Sequence, residues 1–318
     1  MRSRLRRAVP RRHGRLVPLA FAVLALPACA HGQLASAPAP QRADTTALRR
    51  TLDSLAAAHR GVVGYSVRNV DTGERLERRG DETFPTASLI KVAILVTLFD
   101  LIEQKRISLD DPLTVLAIDQ VPGSGVLQFF KPGATLTLGD AAWLMMTLSD
   151  NTATNLILDR IIIRRVWETM EKLGLPHTKV HSKSFLRIAS VAMDSSVKYG
   201  FGVTTPNEMA TLLELIVRGK AVSPAADSVM LRMLENGDNS ALLLRYATGV
   251  RSAHKWGGTD QVRTDCAVFF RQSRVVACVL TKENQDQSWR IDNEAQVTIA
   301  RMGEAIVRAW PEEQRVSR

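Results

Sequence analysis

The pattern of apolar and polar positions predicts strands towards the two ends of the chain and a helical block between them. Apolar residues recur at helical spacing over residues 45–59, 88–105, 138–148, 152–173, 206–218, 227–236 and 292–310. Short apolar or alternating segments predict strands over residues 61–70, 74–79, 252–257, 265–270 and 274–281. Because strands from both ends can share one sheet, we expect an α+β fold, an antiparallel sheet with packed helices plus an inserted all-helical part.

This division sets the boundaries of the predicted catalytic domain, residues 43–318. The sheet-bearing part takes residues 43–84 and 203–318, and the helical part takes 85–202. A cleft between the two parts is the natural place for a site. Residues 176–202 are long, weakly periodic and loop-like, and a loop of this length inside a compact domain usually has a function.

The first forty residues differ in composition from the rest of the chain. They hold seven arginines and no lysine or acidic residue, and an apolar run extends from Leu16 to Ala28. Such a start is typical of a secretory signal, and the run is shorter than the roughly 20 residues that span a membrane. We assign residues 1–30 to the signal and the Ala- and Pro-rich residues 31–42 to a linker, which predicts an exported protein.

Two cleavage patterns compete at the end of this signal. Leu26-Pro27-Ala28-Cys29 resembles a bacterial lipoprotein box, which would place a lipid anchor on Cys29 and hold the protein at the membrane. Ala28-Cys29-Ala30 and Ala35-Ser36-Ala37 fit the small-x-small pattern of ordinary cleavage, which would release it into the periplasm. The sequence leaves both open.

Charge, cysteine and histidine content restrict the partners and cofactors. The net charge of +10 falls to +3 without the seven leader arginines, which argues against nucleic acid as a partner. Cys266 and Cys278 lie in neighbouring predicted strands, but sequence does not fix the register that a disulfide needs, so we expect two buried thiols. His177 and His181 lack an evident third ligand, so we expect surface histidines, no metal and no organic cofactor.

Ser88 and Lys91 are the first candidates for chemistry. They lie at a predicted helix start, and residues three apart share one face of a helix. A serine hydroxyl needs a neighbour to take its proton, and a lysine amine can do this when burial or a nearby cation lowers its pKa. The same spacing recurs in two other places, Ser195/Lys198 and Ser252/Lys255, so alone it identifies nothing.

Two further motifs select Ser88. Ser149-Asp150-Asn151 occurs once, in a loop after a predicted helix, and Lys255-Trp256-Gly257 lies in the first of the C-terminal strands. The ordered set S-x-x-K, S-D-N and K-T-G is the signature of class A β-lactamases and penicillin-binding proteins. The chain resembles this family from about Leu48 to Val307, which implies the family's fold, a serine nucleophile, and a β-lactam or cell-wall peptide as the small-molecule partner of a monomer.

The resemblance implies roles for the catalytic residues. Ser88 would attack the lactam or peptide carbonyl and become acylated. Lys91 would act as its base or orient one. Ser149 would relay a proton to the leaving nitrogen.

Substrate binding would fall to residues of the second and third motifs. Asn151 would hydrogen-bond the substrate's side-chain amide and help to hold Lys91. Lys255 would attract the substrate carboxylate and lower the pKa of Lys91. Gly257 completes the third motif, and the backbone N–H groups of Ser88 and Gly258 would form an oxyanion hole.

Two departures from the family pattern bear on activity. Trp256 replaces the threonine of the third motif, and an indole cannot accept the hydrogen bonds a hydroxyl can, so we expect it to reshape or narrow the cleft. The class A enzymes also carry a glutamate that activates the deacylating water, and alignment places Ser184 there. Asp194 is the only carboxylate between Pro176 and Gly202 and is our candidate replacement.

Three hypotheses follow. The first is an exported serine acyl-hydrolase of the β-lactamase type with weak or altered deacylation. The second is a D-alanyl-D-alanine carboxypeptidase, a related penicillin-binding enzyme or an esterase that uses the same nucleophile. The third is a non-catalytic envelope lipoprotein that retains a ligand cleft. The absent glutamate favours the second and third, and the overall similarity favours the first.

Overall fold

The computed structural model describes residues 42–238 and 242–310, which belong to one compact unit, Pro40–Arg318. The predicted signal, Cys29 and the linker as far as residue 41 lie outside the described residues. Within the described part of the chain, no helix is long and apolar enough to cross a bilayer.

The main strands lie towards the two ends of the described chain, with a helical block between them, as the apolar pattern predicts. The helices are α1 Thr45–Ala58, α2 Lys91–Glu103, α3 Leu138–Thr147, α4 Asn151–Ile161, α5 Ile163–Lys172, α6 Met193–Tyr199, α7 Pro206–Val217, α8 Pro224–Glu235 and α9 Glu294–Ala309. The strands are β1 Val62–Asn69, β2 Arg75–Arg78, β3 Phe84–Pro85, β4 Pro112–Thr114, β5 Thr135–Thr137, β6 Lys179–Val180, β7 Gly202–Thr204, β8 Ser252–Thr259, β9 Val262–Phe270 and β10 Arg274–Lys282. The short strands β3–β7 and helix α6 are not predicted by the apolar pattern.

The main sheet is antiparallel and joins the two ends of the domain. Its strand order is β2-β1-β10-β9-β8, so the first strand pairs with the last, with Val62 opposite Lys282. Smaller sheets have the orders β3-β7-β6 and β4-β5. The predicted α+β fold with one shared antiparallel sheet is therefore confirmed.

Two apolar layers cover the main sheet. One face packs against α1 and α9, in a cluster that includes Leu52, Phe269 and Ile299. The other face packs against α2 and the helical block, and every residue from Lys91 to Phe99 is buried. A helix buried on all sides belongs in the core, so the start of α2 is fixed by packing around its whole circumference.

Cap residues define several helix starts at the positions that the sequence predicts. The Thr137 hydroxyl accepts from the backbone N–H of Asp140, and the Thr205 hydroxyl accepts from that of Glu208. The single helix predicted over 152–173 is wrong, because Ile162 interrupts it. Ile162 has a φ of +68° and separates α4 from α5. A β-branched residue rarely adopts this conformation, and the apolar pattern carries no sign of it.

Cys266 and Cys278 form a disulfide, so the prediction of two buried thiols is wrong. The two residues face each other directly on β9 and β10, with their Cα atoms 4.0 Å apart. The β9–β10 hairpin brings the two cysteines together. Phe270 lies opposite Arg274, and this register places Cys266 opposite Cys278.

Candidate active site

Ser88 lies in a tight 3₁₀ turn, Ala87–Ile90, that leads directly into α2. In such a turn residues three apart lie almost directly above one another, which places the Ser88 and Lys91 side chains on one face. Ala87 has a φ of +46°, an uncommon conformation for a residue with a side chain. Ser88 is half-buried, so the hydroxyl sits on a constrained turn within reach of solvent.

Hydrogen bonds from outside the turn hold it against the main sheet. The Thr264 hydroxyl on β9 donates to the carbonyl of Thr86 over 2.8 Å, and the N–H of Thr86 donates to the carbonyl of Gly202. A Cβ atom on Gly257 would lie 2.5 Å from the Ser88 nitrogen. Only a glycine fits there, since the neighbouring atoms belong to backbone. The backbone of β8 at Gly257 therefore packs directly against the backbone of the Ser88 turn.

Lys91 is fully buried and surrounded by oxygen atoms. Its Nζ donates to the Ser149 carbonyl at 2.6 Å, to Asn151 Oδ1 at 2.9 Å and to Ser149 Oγ at 3.2 Å. Burial lowers the pKa of Lys91 well below its usual value, and the positive charge of Lys255 lowers it further, against the opposing effect of Asp150. An amine with a depressed pKa can take a proton at neutral pH.

Lys255 completes the group from the sheet side. Its Nζ donates to Ser149 Oγ at 3.1 Å and to the Trp256 carbonyl at 3.0 Å. Burial lowers the pKa of Lys255 to about 8, although the carboxylates of Asp265 and Asp238 act in the opposite direction. At neutral pH Lys255 therefore still carries the charge that can attract a substrate carboxylate.

Ser149 stands between the two amines on a strained turn. It has a φ of +53°, and this conformation directs both its carbonyl and its hydroxyl towards Lys91. A hydroxyl within hydrogen-bond distance of two lysines can accept a proton from one side and pass one on at the other. The geometry suits a relay between Lys91 and the departing group of a substrate.

Asp150 holds this turn in place through both of its carboxylate oxygens. One oxygen accepts from the N–H of Ala153 at the start of α4. The other accepts from the N–H groups of Val126 and Leu127, at 2.7 and 2.9 Å. The carboxylate thus joins the start of α4 to the loop at residues 122–127, and the Asn151 amide donates to the Pro122 carbonyl in the same loop.

We call Ser88, Lys91, Ser149 and Lys255 the acylating wall. Ser88 lines a larger cleft, Ser149 and Lys255 line a smaller pocket, and Ser124 lines both. Lys91 is buried and donates to Ser149. The larger cleft has a volume of about 610 Å³ and is lined by Ser88, Asn151 and Gly258 together with the loop at residues 182–187. The smaller pocket has a volume of about 220 Å³. Gly258 follows Gly257 on β8, so its backbone borders the cleft next to the Ser88 turn.

Trp256 lines the smaller pocket and not the larger cleft. It is half-buried and packs against the layer formed by α1 and α9. If this indole reshapes the site as predicted, it does so in the smaller pocket beside Lys255 and Ser149.

The opposite side of the cleft is the loop wall, which we define as residues 181–191. Asn155 fixes it, because its side-chain oxygen accepts from the Ser184 N–H at 2.8 Å and its nitrogen donates to the Ser184 carbonyl at 3.0 Å. Sequence reasoning missed Asn155, although it lies four residues after Asn151 and so one turn further along the same face of α4. Ser184 lines the cleft with Ser88.

Asp194 is not brought into this cleft. Its side chain is exposed in the first turn of α6, and it is not among the residues that line the larger cleft. Of the described residues that do line the cleft, Asp260 alone carries a carboxylate, and that carboxylate accepts from the Trp289 indole at 2.8 Å.

Neither His177 nor His181 lines the cleft, although His181 begins the loop wall. His177 is largely exposed and its Nδ1 lies 2.7 Å from Glu208, whereas His181 is buried. The prediction of a surface position is wrong for His181. Within residues 42–238 and 242–310, no three His, Cys, Asp or Glu side chains are grouped as metal ligands.

Comparisons with known proteins agree with this geometry. Residues 47–310 match the model of the β-lactamase enzyme family. The β-lactamase AER-1 of Aeromonas hydrophila is 28% identical over 267 residues, which cover 82% of this chain and 84% of that protein. The crystal structure of a β-lactamase from Sphaerobacter thermophilus is 26% identical with a TM-score of 0.73, covering 84% of this chain and 97% of the other.

A penicillin-binding relative is equally similar. The structure of a PBP-A mutant, an acyl-enzyme complex with penicillin G, is 27% identical, has a TM-score of 0.73 and covers 86% of this chain and 98% of that one. Since the family match spans most of the chain, and the two amines share the Ser149 hydroxyl near the Ser88 turn, this protein belongs to the β-lactamase enzyme family and is a class A-like serine hydrolase.

Proposed function

We propose that this enzyme reacts with β-lactams at Ser88, accumulates the acyl-enzyme and releases the product slowly. Acylation needs a nucleophile, a base and a cation for the substrate carboxylate, and Ser88, Lys91 and Lys255 supply them. The single observation that carries the slow second step is the chemistry of the loop wall. Ser184 stands where alignment places a catalytic glutamate, and Asp260, the one carboxylate among the described residues that line the cleft, already has an indole partner.

A missing base affects the two half-reactions differently. In acylation the buried Lys91, one turn from Ser88, is the proposed acceptor of the Ser88 proton. In deacylation a water must attack the ester, and a positioned general base typically contributes about 10²–10⁴-fold to such a step. The acyl-enzyme is therefore expected to form faster than it is hydrolysed. The PBP-A mutant captured as a penicillin G acyl-enzyme supports the formation of such an intermediate in a similar fold.

Export is part of the proposal. The Arg-rich leader supports it, and so does the Cys266–Cys278 disulfide, because disulfides persist mainly in oxidising compartments. Cys29 is the candidate site of a lipid anchor, and the protein is proposed to act as a monomer. Mass spectrometry of the mature N-terminus tests both cleavage patterns, since a lipidated Cys29 and an unmodified N-terminus differ in mass.

The test of the proposed reaction is to mix purified protein with penicillin G or a chromogenic cephalosporin and to follow intact mass and colour together. We expect a stoichiometric burst, an adduct that maps to Ser88, and slow steady turnover afterwards. Rapid turnover without an adduct would contradict slow deacylation. Absence of both adduct and turnover would favour a non-catalytic envelope protein with a retained cleft.

A D-alanyl-D-alanine carboxypeptidase is the second candidate function, and the PBP-A likeness together with Ser184 favours it. It uses the same acylating wall on a cell-wall peptide. Release of D-alanine from a synthetic peptide that ends in D-alanyl-D-alanine, lost in Ser88→Ala, would support it. A rate no greater than that of Ser88→Ala would remove it.

A further inference from the structure

Two exposed aromatic rings stand in the cleft beside Ser88, one on each side. Phe185 belongs to the loop wall and is 65% exposed, and Trp289 follows the main sheet and is 59% exposed. Large apolar side chains that line a cleft and remain mostly open to solvent are candidates for ligand contact. Neither ring belongs to the acylating wall.

The backbone fixes the position of Phe185. Phe185 has a φ of +57°, and the residue before it is held on both backbone groups by Asn155. Its ring lies over Gly123, where a Cβ atom would approach two ring carbons to 3.1 and 3.2 Å. An aromatic residue in this conformation carries backbone strain, so the surrounding contacts hold the ring in the cleft.

Trp289 is held by different contacts. Its Nε1 donates to Asp260 Oδ1 at 2.8 Å, and the buried Arg263 guanidinium lies 4.2 Å from the centre of its ring. Arg263 is itself fixed, since it donates to the carbonyls of Val262 and Ser288 at 2.9 Å. The far edge of the indole passes over Gly258, at 3.3 Å from where a Cβ atom would lie.

Two of the three charged side chains that line this cleft already have a partner. Lys183 pairs with Asp159, and Asp260 is bound to Trp289. Arg187 is exposed. Phe185 and Trp289 are the exposed large apolar side chains of this lining.

We propose that Phe185 and Trp289 form a subsite for an aryl group on the acyl side of the substrate. This inference rests on the proposed acylation of Ser88 and adds a preference among acyl donors. Both rings are held in place before binding, so little ordering opposes the contact. Aromatic contacts of this kind correspond to about a threefold to tenfold effect per ring.

The experiment compares penicillin G with 6-aminopenicillanic acid, which has the same bicyclic core and no aryl group. Second-order rate constants for adduct formation are measured for the wild type, Phe185→Ala and Trp289→Ala. We expect each variant to lose about threefold to tenfold with penicillin G and to change less than about twofold with 6-aminopenicillanic acid. Trp289→Phe should recover most of the loss.

Matched controls are Ile188→Ala in the loop wall and Ile291→Ala near Trp289, which are 93% and 77% exposed and do not line the cleft. Both should leave the two rate constants unchanged. Equal losses with both compounds in Phe185→Ala and Trp289→Ala would show structural support only, and unchanged constants would show no contact; either result overturns the subsite. If the wild type forms no adduct with either compound, the proposed acylation itself fails.

Discussion

Ser88 of the acylating wall and Ser184 of the loop wall line the same cleft, but the two walls are built from different chemistry. The acylating wall holds two buried amines that share one hydroxyl, Ser149 Oγ, at 3.2 and 3.1 Å. The loop wall presents serines, and its backbone is fixed by paired hydrogen bonds between Asn155 and Ser184. The acylating wall carries the groups that would open a lactam ring. The loop wall has a fixed backbone but lacks the carboxylate that would activate water.

Under the proposed mechanism, acylation and deacylation depend on separate parts of the fold. Asn155 holds the backbone of Ser184 by two hydrogen bonds, although the Ser184 side chain carries only a hydroxyl. A one-residue change can therefore alter the second half-reaction without disturbing the first. Each prediction below tests how far the two walls are independent.

The largest effect is expected from removal of the nucleophile. Ser88→Ala should lower adduct formation by at least about 10⁴-fold, because the loss of a catalytic serine removes the covalent route. Intact mass after incubation with penicillin G measures it. Ser195→Ala is the matched control, since Ser195 has the same spacing to Lys198, and an equal loss in that variant would contradict the assignment.

The next effect tests the loop wall. Ser184→Glu should shorten the lifetime of the acyl-enzyme by about 100-fold or more, because a carboxylate there can take a proton from the attacking water. The lifetime is followed by the disappearance of the adduct mass. Ser184→Gln has a similar size and no base, so an equal acceleration in that variant would mean that shape, and not proton transfer, limits deacylation.

The pH dependence tests the acylating wall. Acylation should rise as Lys91 loses its proton and should fall above a pH of about 8, where Lys255 loses the charge that attracts the substrate carboxylate. One pH unit above that pKa, the charged fraction is lower by about tenfold. Stopped-flow acylation rates across the pH range measure both limbs.

The Lys255→Arg variant separates these two limbs. A guanidinium stays protonated far above this range, so the falling limb should move to higher pH while the rising limb stays in place. A falling limb that does not move would show that another group titrates there.

The smallest effect on the cleft is expected from loss of the disulfide. Cys266→Ala/Cys278→Ala should reduce the free energy of unfolding by about 3 kcal/mol, as expected for a short closed loop. The rate of acylation should change less than about twofold, because Thr264 and the strand hydrogen bonds still hold the Ser88 turn. Urea unfolding and adduct formation are measured together, and a large loss of acylation in folded protein would contradict this independence.

Much of the acylating wall could be predicted from the sequence, because its residues belong to short motifs with fixed local geometry. Ser88 and Lys91 share a turn, and Ser149-Asp150-Asn151 forms a single helix start. The supports were harder to predict, because they act over long separations. Asn155 anchors Ser184, and Thr264 reaches the carbonyl of Thr86, from parts of the chain that no local pattern connects.

The ends of the two predicted strands already contain the information that pairs Cys266 with Cys278. The predicted strands 265–270 and 274–281 leave a loop of three residues, 271–273. A hairpin closed by that loop places 270 opposite 274 and therefore 266 opposite 278. Register follows from loop length once both strand ends are correct, whereas no local turn signal marks the break at Ile162.

The pairing of the first strand with the last has a consequence during biosynthesis. Val62 emerges from the ribosome long before Lys282, its partner in the sheet, so the nascent domain waits for most of its length before the sheet can close. Ser88 and Lys91 are also translated early, but Lys255 comes late. Truncated copies of this protein should therefore be chemically silent, and reactivity should arise only in chains that are almost complete.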